Sequence, residues 1–192
     1  MTIFLGNDKL LVDKQIDIHH HLVEESLDGS TKAQYELYKL YAGAMFYTCY
    51  NFMHSREEAE DMLQEAFSEA FSTLHRFRFE SSFGTWLKRI VINKCINEIK
   101  RKKTDLLFSD EMESYESSYT NEESDFPNLD LAMVKEAMTE LPEGGRVVFQ
   151  LYLLEGYDHR EIAEILGVSE SNSKTQYRRA KMKIKELLKD RT

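Results

Sequence analysis

Between Ala59 and Leu74 the apolar residues stand at Ala59, Met62, Leu63, Ala66, Phe67, Ala70, Phe71 and Leu74. Pairs of apolar positions recurring every three to four residues line one face of an α-helix and cannot line one face of a strand. The same period recurs along the rest of the chain. With only eight glycines and two prolines in 192 residues, there are too few breakers for a sheet of short strands joined by turns. The fold class is all-α. A first helix runs from about Ile18 to Leu27 and ends at Asp28-Gly29. Ser30 or Thr31 opens a second that carries Tyr35, Leu37, Tyr38, Tyr41, Met45, Phe46 and Cys49. Ser55-Arg56-Glu57-Glu58 reads as a capping box that starts the third, the serine accepting from the Glu58 N–H and Glu58 reaching back. A loop from Arg76 to Phe83 leads into a fourth helix, from about Gly84 to Lys102.

The composition then changes. Residues 104–130 hold nine acids and no Lys or Arg, with several serines and Pro127, which is the pattern of an acidic flexible linker. Beyond it, 129–140, 143–155, 158–166 and 169–189 show helical period again. The expected organisation is an N-terminal extension at 1–17, a helical domain at 18–103, the linker at 104–128 and a smaller helical domain at 129–192.

The formal net charge of −9 conceals two basic stretches. Residues 76–103 carry nine Lys and Arg against Glu80 and Glu98, a net of +7; residues 171–192 carry eight against Glu186 and Asp190, a net of +6. Each sits on a particular helix, which favours a phosphate-backbone partner over an ordinary solvated face. The overall acidity therefore does not exclude DNA. On a helical wheel Leu87, Val91, Ile92, Cys95, Ile96 and Ile99 gather on one side of the fourth helix, and Trp86, Arg89, Asn93, Asn97 and Lys100 on the other. An aromatic on the wet side flanked by Arg, Asn and Lys suits a platform on which unpaired bases stack. A second reading has Trp86 cover the joint between helix and loop. Phe77, Phe79 and Phe83 would add aromatic surface in the loop, and Ser81 and Ser82 could hydrogen-bond a base edge.

In the C-terminal part, Asp158-His159-Arg160-Glu161 is another capping box, Ile162, Ala163 and Leu166 face inward, and Gly167 supplies a tight turn before Val168. A short capped helix, a glycine turn and a second helix make a helix-turn-helix. The second of the pair places Lys174, Arg178, Lys181 and Lys185 on one face and Tyr177, Ala180, Ile184, Leu187 and Leu188 on the other. That suits reading of a DNA major groove.

Together, AEDMLQEAFSEAF (59–71), FRFESSFGTWLKRIVINKCINEIKRK (77–102) and LPEGGRVVFQLYLLEGYDHREIAEILGVSESNSKTQYRRAKMKI (141–184) resemble the extracytoplasmic-function (ECF) sigma factors of the sigma-70 family. The resemblance covers residues 20–103 and 130–189. It implies a sigma factor that binds core RNA polymerase and directs promoter recognition, melting and transcription initiation. Glu60, Asp61, Gln64 and Glu65 would face the beta-prime clamp helices. Arg76, Arg78, Ser81, Ser82, Phe83, Trp86, Arg89, Asn93 and Lys100 would face the minus-ten element and its melted strand. Ser171, Asn172, Lys174, Thr175, Arg178, Arg179 and Lys181 would face the minus-35 duplex, with the beta flap a further polymerase contact and an anti-sigma factor a candidate partner. Two positions depart from the family pattern, Ser173 where a packed apolar residue is usual and Gln176 where a basic one is common. Residues 1–17 match nothing in the family.

No catalytic constellation, metal set or phosphate-cradling glycine loop is seen, so neither an enzyme nor a bound cofactor is expected. Cys49 and Cys95 lie among apolar neighbours and read as buried free thiols. His19, His20 and His21 point in different directions on a helix and stay unassigned. No apolar run nears the roughly 18 residues of a membrane span, and no secretory signal opens the chain, so a cytoplasmic protein is expected. The rival readings are a conventional helix-turn-helix repressor, which would need only the C-terminal domain, and a helical adaptor, which would leave both basic faces idle.

Overall fold

A computed structural model of the chain describes residues 19–102 and 131–189. The N-terminal extension and the acidic linker lie outside the described residues. The two described parts belong to separate compact units. All regular structure in both is helical, as the periodicity requires.

The first unit consists of α1 (19–27), α2 (Thr31–Met53), α3 (Arg56–Ser72), a single 3₁₀ turn (Leu74–Arg76) and α4 (Phe83–Lys102). Ser30 caps α2, its hydroxyl accepting from the Ala33 N–H at 3.2 Å, and α2 ends at His54 in the left-handed region (φ 56°). Ser55 then caps α3 by accepting from the Glu58 N–H at 3.4 Å. The capping box expected there is only half formed. The Glu58 carboxylate is taken instead by Lys102 of α4, at 2.6 Å, because an ammonium brought in from a neighbouring helix is a better partner than one backbone N–H.

Helices α2, α3 and α4 pack on one another in all three pairings. The stripe of α3 read from the sequence supplies Ala59, Met62, Leu63, Ala66, Phe67 and Ala70, all buried; α4 supplies Leu87, Val91, Ile92, Cys95, Ile96 and Ile99. At roughly 1.5–3 kcal/mol for each large apolar side chain, these two stripes dominate the unit's stability. Cys49 and Cys95 are free thiols inside it. Above the core, Lys94 bridges α4 to α3 through Glu69 at 2.9 Å and Glu65 at 3.6 Å. These exposed pairs add little stability, about 0.2–1 kcal/mol each, but they orient the helices' polar edges.

The second unit consists of α5 (Leu131–Met138), α6 (Glu143–Leu153), α7 (His159–Leu166) and α8 (Glu170–Lys189). Helix α8 is its spine, packed against each of the other three. Val134, Ala137, Met138, Leu141, Phe149, Ala180, Ile184 and Leu188 form one buried cluster. No helix among the described residues is long and apolar enough to cross a membrane.

One close approach limits the first unit. A Cβ at Gly84, in the first turn of α4, would lie 2.7 Å from Tyr41 Cε1 of α2, inside any real contact distance. Tyr41 is pinned from behind, its hydroxyl 2.6 Å from His19 Nδ1 and its ring 5.3 Å from that of Phe83. Gly84→Ala should therefore lower the unfolding free energy by about 1–3 kcal/mol through overpacking, despite alanine's better helix propensity. A thermal melt followed by circular dichroism reads the change; a raised midpoint would mean that Tyr41 swings aside freely.

Candidate nucleic-acid interface

The exposed side of α4 begins at its N-terminus. Ser82 caps the helix, its Oγ accepting from the Thr85 N–H at 3.2 Å and lying 2.9 Å from Thr85 Oγ1, while its carbonyl accepts from the Trp86 N–H. Ser81 turns its hydroxyl onto the Ser82 carbonyl at 3.3 Å. Ser82 is thus the N-cap of α4, because the first turn of a helix has unpaired N–H groups that draw in the nearest hydroxyl.

Phe83 does not supply the open aromatic surface expected of it in the loop. It is 4% exposed and Phe77 8%, so neither ring forms open surface. Their rings lie 6.1 Å apart at 85°, and Trp86 leans on both, with centroids 5.3 Å from Phe77 and 5.8 Å from Phe83. Trp86 is accordingly half-buried. One of its sides covers the joint between loop and helix, as the second reading has it, while the rest stays open. Phe79, at φ 57°, stacks on His20 of α1 at 4.5 Å and 26°, and lies 4.7 Å from Phe77. The loop is therefore anchored to α1, a link that no local pattern in the sequence announces. His19 and His20 are drawn to Tyr41 and Phe79, and among the described residues no group of three or more His, Cys, Asp or Glu is arranged to hold a metal.

From Trp86 the exposed side continues through Arg89, Asn93 and Asn97, all exposed, to half-buried Lys100; Arg76 and Arg78 are exposed in the preceding turn and loop. The other edge of α4 is electrically different. There Lys94 and Lys102 reach carboxylates of α3, and Arg101 holds Glu98 through two bonds of 2.7 and 2.8 Å. Those bonds from Arg101, first of all, hold the Glu98 carboxyl below its ordinary range, outweighing the opposite effect of burial. Part of the +7 counted along this stretch is thus spent on helix pairing.

On α3, Glu60, Asp61, Gln64 and Glu65 are all exposed. Glu60 pairs with Arg56 at 2.8 Å. The four residues form a ridge between two open grooves. One, of about 510 Å³, is lined by Gln64, Glu65, Ser68, Glu69, Ser72 and Lys94. The other, of about 410 Å³, is lined by Tyr38, Ala42, Gly43 and Phe46 of α2 and by Arg56, Glu60, Leu63 and Gln64 of α3.

In the second unit the capping box of α7 is complete. Asp158 Oδ1 accepts from the N–H groups of Arg160 and Glu161, both at 2.8 Å, and the Asp158 N–H donates to Glu161 Oε2 at 3.0 Å. Gly167 ends α7 at φ 71°, a left-handed turn that favours glycine, and Ser169 caps α8 by accepting from the Asn172 N–H at 3.1 Å. On α8, Ser171, Lys174, Thr175 and Arg178 are exposed and Asn172, Arg179 and Lys181 half-buried. Lys174 is tethered to Glu170 at 2.6 Å. Gln176, half-buried, turns toward α6, where its Oε1 lies 3.8 Å from the place a Gly145 Cβ would take.

His159 lies between these helices. Its burial, and next the repulsion of Lys174, hold the imidazole below its usual pKa of 6.5, outweighing the pull of Glu170 and Asp158. Protonation then costs more in the folded unit than in the unfolded chain. The folded unit loses stability as pH falls below 6.5, the loss levelling off once the folded-state pKa is passed, and nothing is lost above. An NMR titration of the full chain, with the resonance identified from His159→Phe, should give His159 a midpoint below 6.5; a midpoint at or above it contradicts this account.

Comparison with known proteins bears on both units. A family model for sigma-70 region 2 matches residues 37–104 and one for sigma-70 region 4 matches residues 131–184. The chain is 27% identical over 178 residues to the ECF RNA polymerase sigma factor SigW of Bacillus subtilis, covering 88% of this chain and 95% of that one. It is 34% identical over 119 residues to the ECF RNA polymerase sigma-E factor of Escherichia coli, covering 57% and 62%. Among solved structures it is similar in fold to the sigma factor RpoE in complex with the anti-sigma factor NepR from Bartonella quintana, with a TM-score of 0.53 at 23% identity over 80% of this chain and 95% of that one. It is also similar to CnrH in complex with the cytosolic domain of CnrY, with a TM-score of 0.52 at 21% identity over 89% and 97%.

Proposed function

Because the chain belongs to the sigma-70 family, in its ECF group, and acts as a promoter-recognition factor of RNA polymerase, we propose that its three exposed faces divide that work. The ridge of Glu60, Asp61, Gln64 and Glu65 docks on the beta-prime clamp helices. The Trp86, Arg89 and Asn93 side of α4 holds unpaired bases of the minus-ten element, with Arg76, Arg78 and Lys100 on phosphates. Helix α8 enters the minus-35 duplex, led by Lys174, Thr175 and Arg178, with Ser171, Asn172, Arg179 and Lys181 at its edges. The first unit is then the region 2 domain (18–103) and the second the region 4 domain (129–192), which also meets the beta flap.

The observation that carries this reading is the setting of Trp86. Its ring is propped by Phe77 and Phe83 and shares an open edge with Arg89 and Asn93, which is a surface for π-stacking beside a cation and an amide. Strand opening needs such a surface, since an unstacked base must regain stacking elsewhere. The chain itself breaks no bond in this scheme; polymerase performs the chemistry. The protein works in the cytoplasm, where its polymerase is, and an anti-sigma factor, of the kind that accompanies RpoE in the Bartonella quintana complex, is a further partner.

Trp86→Ala should lose roughly 1–3 kcal/mol of single-strand contact. Holoenzyme carrying it should form a closed promoter complex, open it poorly by permanganate footprinting, and recover on a template with a pre-melted bubble. Normal opening by a folded mutant would leave Trp86 only its role over the joint. A second expectation concerns the ridge. Helix α3 carries six acids against Arg56, so Asp61→Lys with Glu65→Lys should weaken capture of core polymerase while the circular dichroism spectrum is kept. Unchanged capture by the double mutant would remove α3 from the polymerase interface.

A further inference from the structure

Ser173 is completely buried in the second turn of α8, where an unpaired hydroxyl would be costly. Its Oγ lies 2.9 Å from Nδ1 of His159, the first residue of α7. The His159 ring is itself held by α6 and α8, stacked on Tyr152 at 4.7 Å and 20° and edge-on to Tyr177 at 5.6 Å. One imidazole thus ties together the three helices that frame the helix-turn-helix. Resting on the reading above that α8 enters the minus-35 duplex, we propose that the His159–Ser173 hydrogen bond is a positioning contact that sets the angle of α8 and thereby promoter specificity, without touching DNA.

The physical argument is one of tolerance. An apolar contact at position 173 would hold the helices together but let α8 roll or slide slightly at little cost, because hydrophobic attraction has no direction. A hydrogen bond weakens steeply off its axis, so this one fixes the register of α8 against α7. Lys174 follows Ser173 directly and Arg178 stands just over one turn further, so a small roll displaces both heads. Phosphate contacts survive such a displacement through long flexible side chains. Contacts to base edges need both distance and direction, and they do not. The pair should therefore bear on discrimination between sequences and leave general DNA affinity alone.

The test uses the full chain assembled with core polymerase. A library of duplexes randomised over the minus-35 position is first selected with the wild type; if no sequence is enriched, the reading of α8 fails and the inference falls with it. With an enriched duplex in hand, its affinity is compared with that of a scrambled duplex. His159→Phe keeps the stacking ring and loses Nδ1, and Ser173→Ala loses the hydroxyl. Each should lower the specific-to-scrambled ratio about fivefold to tenfold, with scrambled affinity and salt slope unchanged. The double variant should be no worse than either single one, and His159→Asn, whose amide reaches the Nδ1 position, should recover most of the ratio. Ratios are read below each variant's melting temperature, and where one variant does not fold the other, with His159→Asn, decides. A lower melting temperature with an intact ratio, additive losses, or no recovery by Asn each overturns the proposal and leaves the pair a packing contact only.

Discussion

The apolar stripe of α4, from Leu87 to Ile99, is 0 to 4% exposed where that helix lies against α2 and α3. Rotating α4 by a third of a turn would bring Arg89 and Asn93 inward and expose Val91 or Ile92, at a cost of several kcal/mol per exchanged pair. That burial therefore sets which residues can meet another molecule. Trp86, Arg89, Asn93 and Lys100 are outward-facing as a consequence, and so is the ridge of α3, whose own stripe is locked into the same core.

Charge is sorted on top of this frame. The acids of α3 and the cations of α4 come within salt-bridge distance along one edge, where Lys94 and Lys102 are held by Glu69, Glu65 and Glu58. Arg89 on the other side of α4, and Arg76 and Arg78 in the preceding turn and loop, are exposed. A chain with a net charge of −9 can in this way offer one surface to a basic protein and another to a nucleic acid. The second unit achieves its presentation by other means. Two capped helix starts and a left-handed glycine hold α7 and α8 at a tight turn, and a buried polar bond at their crossing replaces a purely apolar contact.

Much of this was legible in the residues alone. Helix positions followed from apolar spacing, and the caps at Ser30, Ser55 and Asp158 stand where the residue types announced them. The two-sided nature of α4 and the turn at Gly167 were equally plain, because periodicity, capping and left-handed glycines are properties of a few consecutive residues. Other features depended on what each side chain meets from elsewhere in the chain. Phe83 looked like loop surface until Tyr41 and Phe77 closed over it, and Ser82 looked like a plain loop hydroxyl until the start of α4 gave it an N–H to cap. Glu58 had two acceptable partners, and only the arrival of Lys102 from α4 selected between them. Ser173 read as a departure from pattern, whereas its meaning lay in a histidine fourteen residues away. The sequence by itself determined which segments are helical and which stripe of each is apolar, since local sterics and water impose those choices residue by residue. Tertiary structure alone decided which polar atom pairs with which, because a donor with several acceptors within reach is settled by where the packed core holds the neighbouring helix.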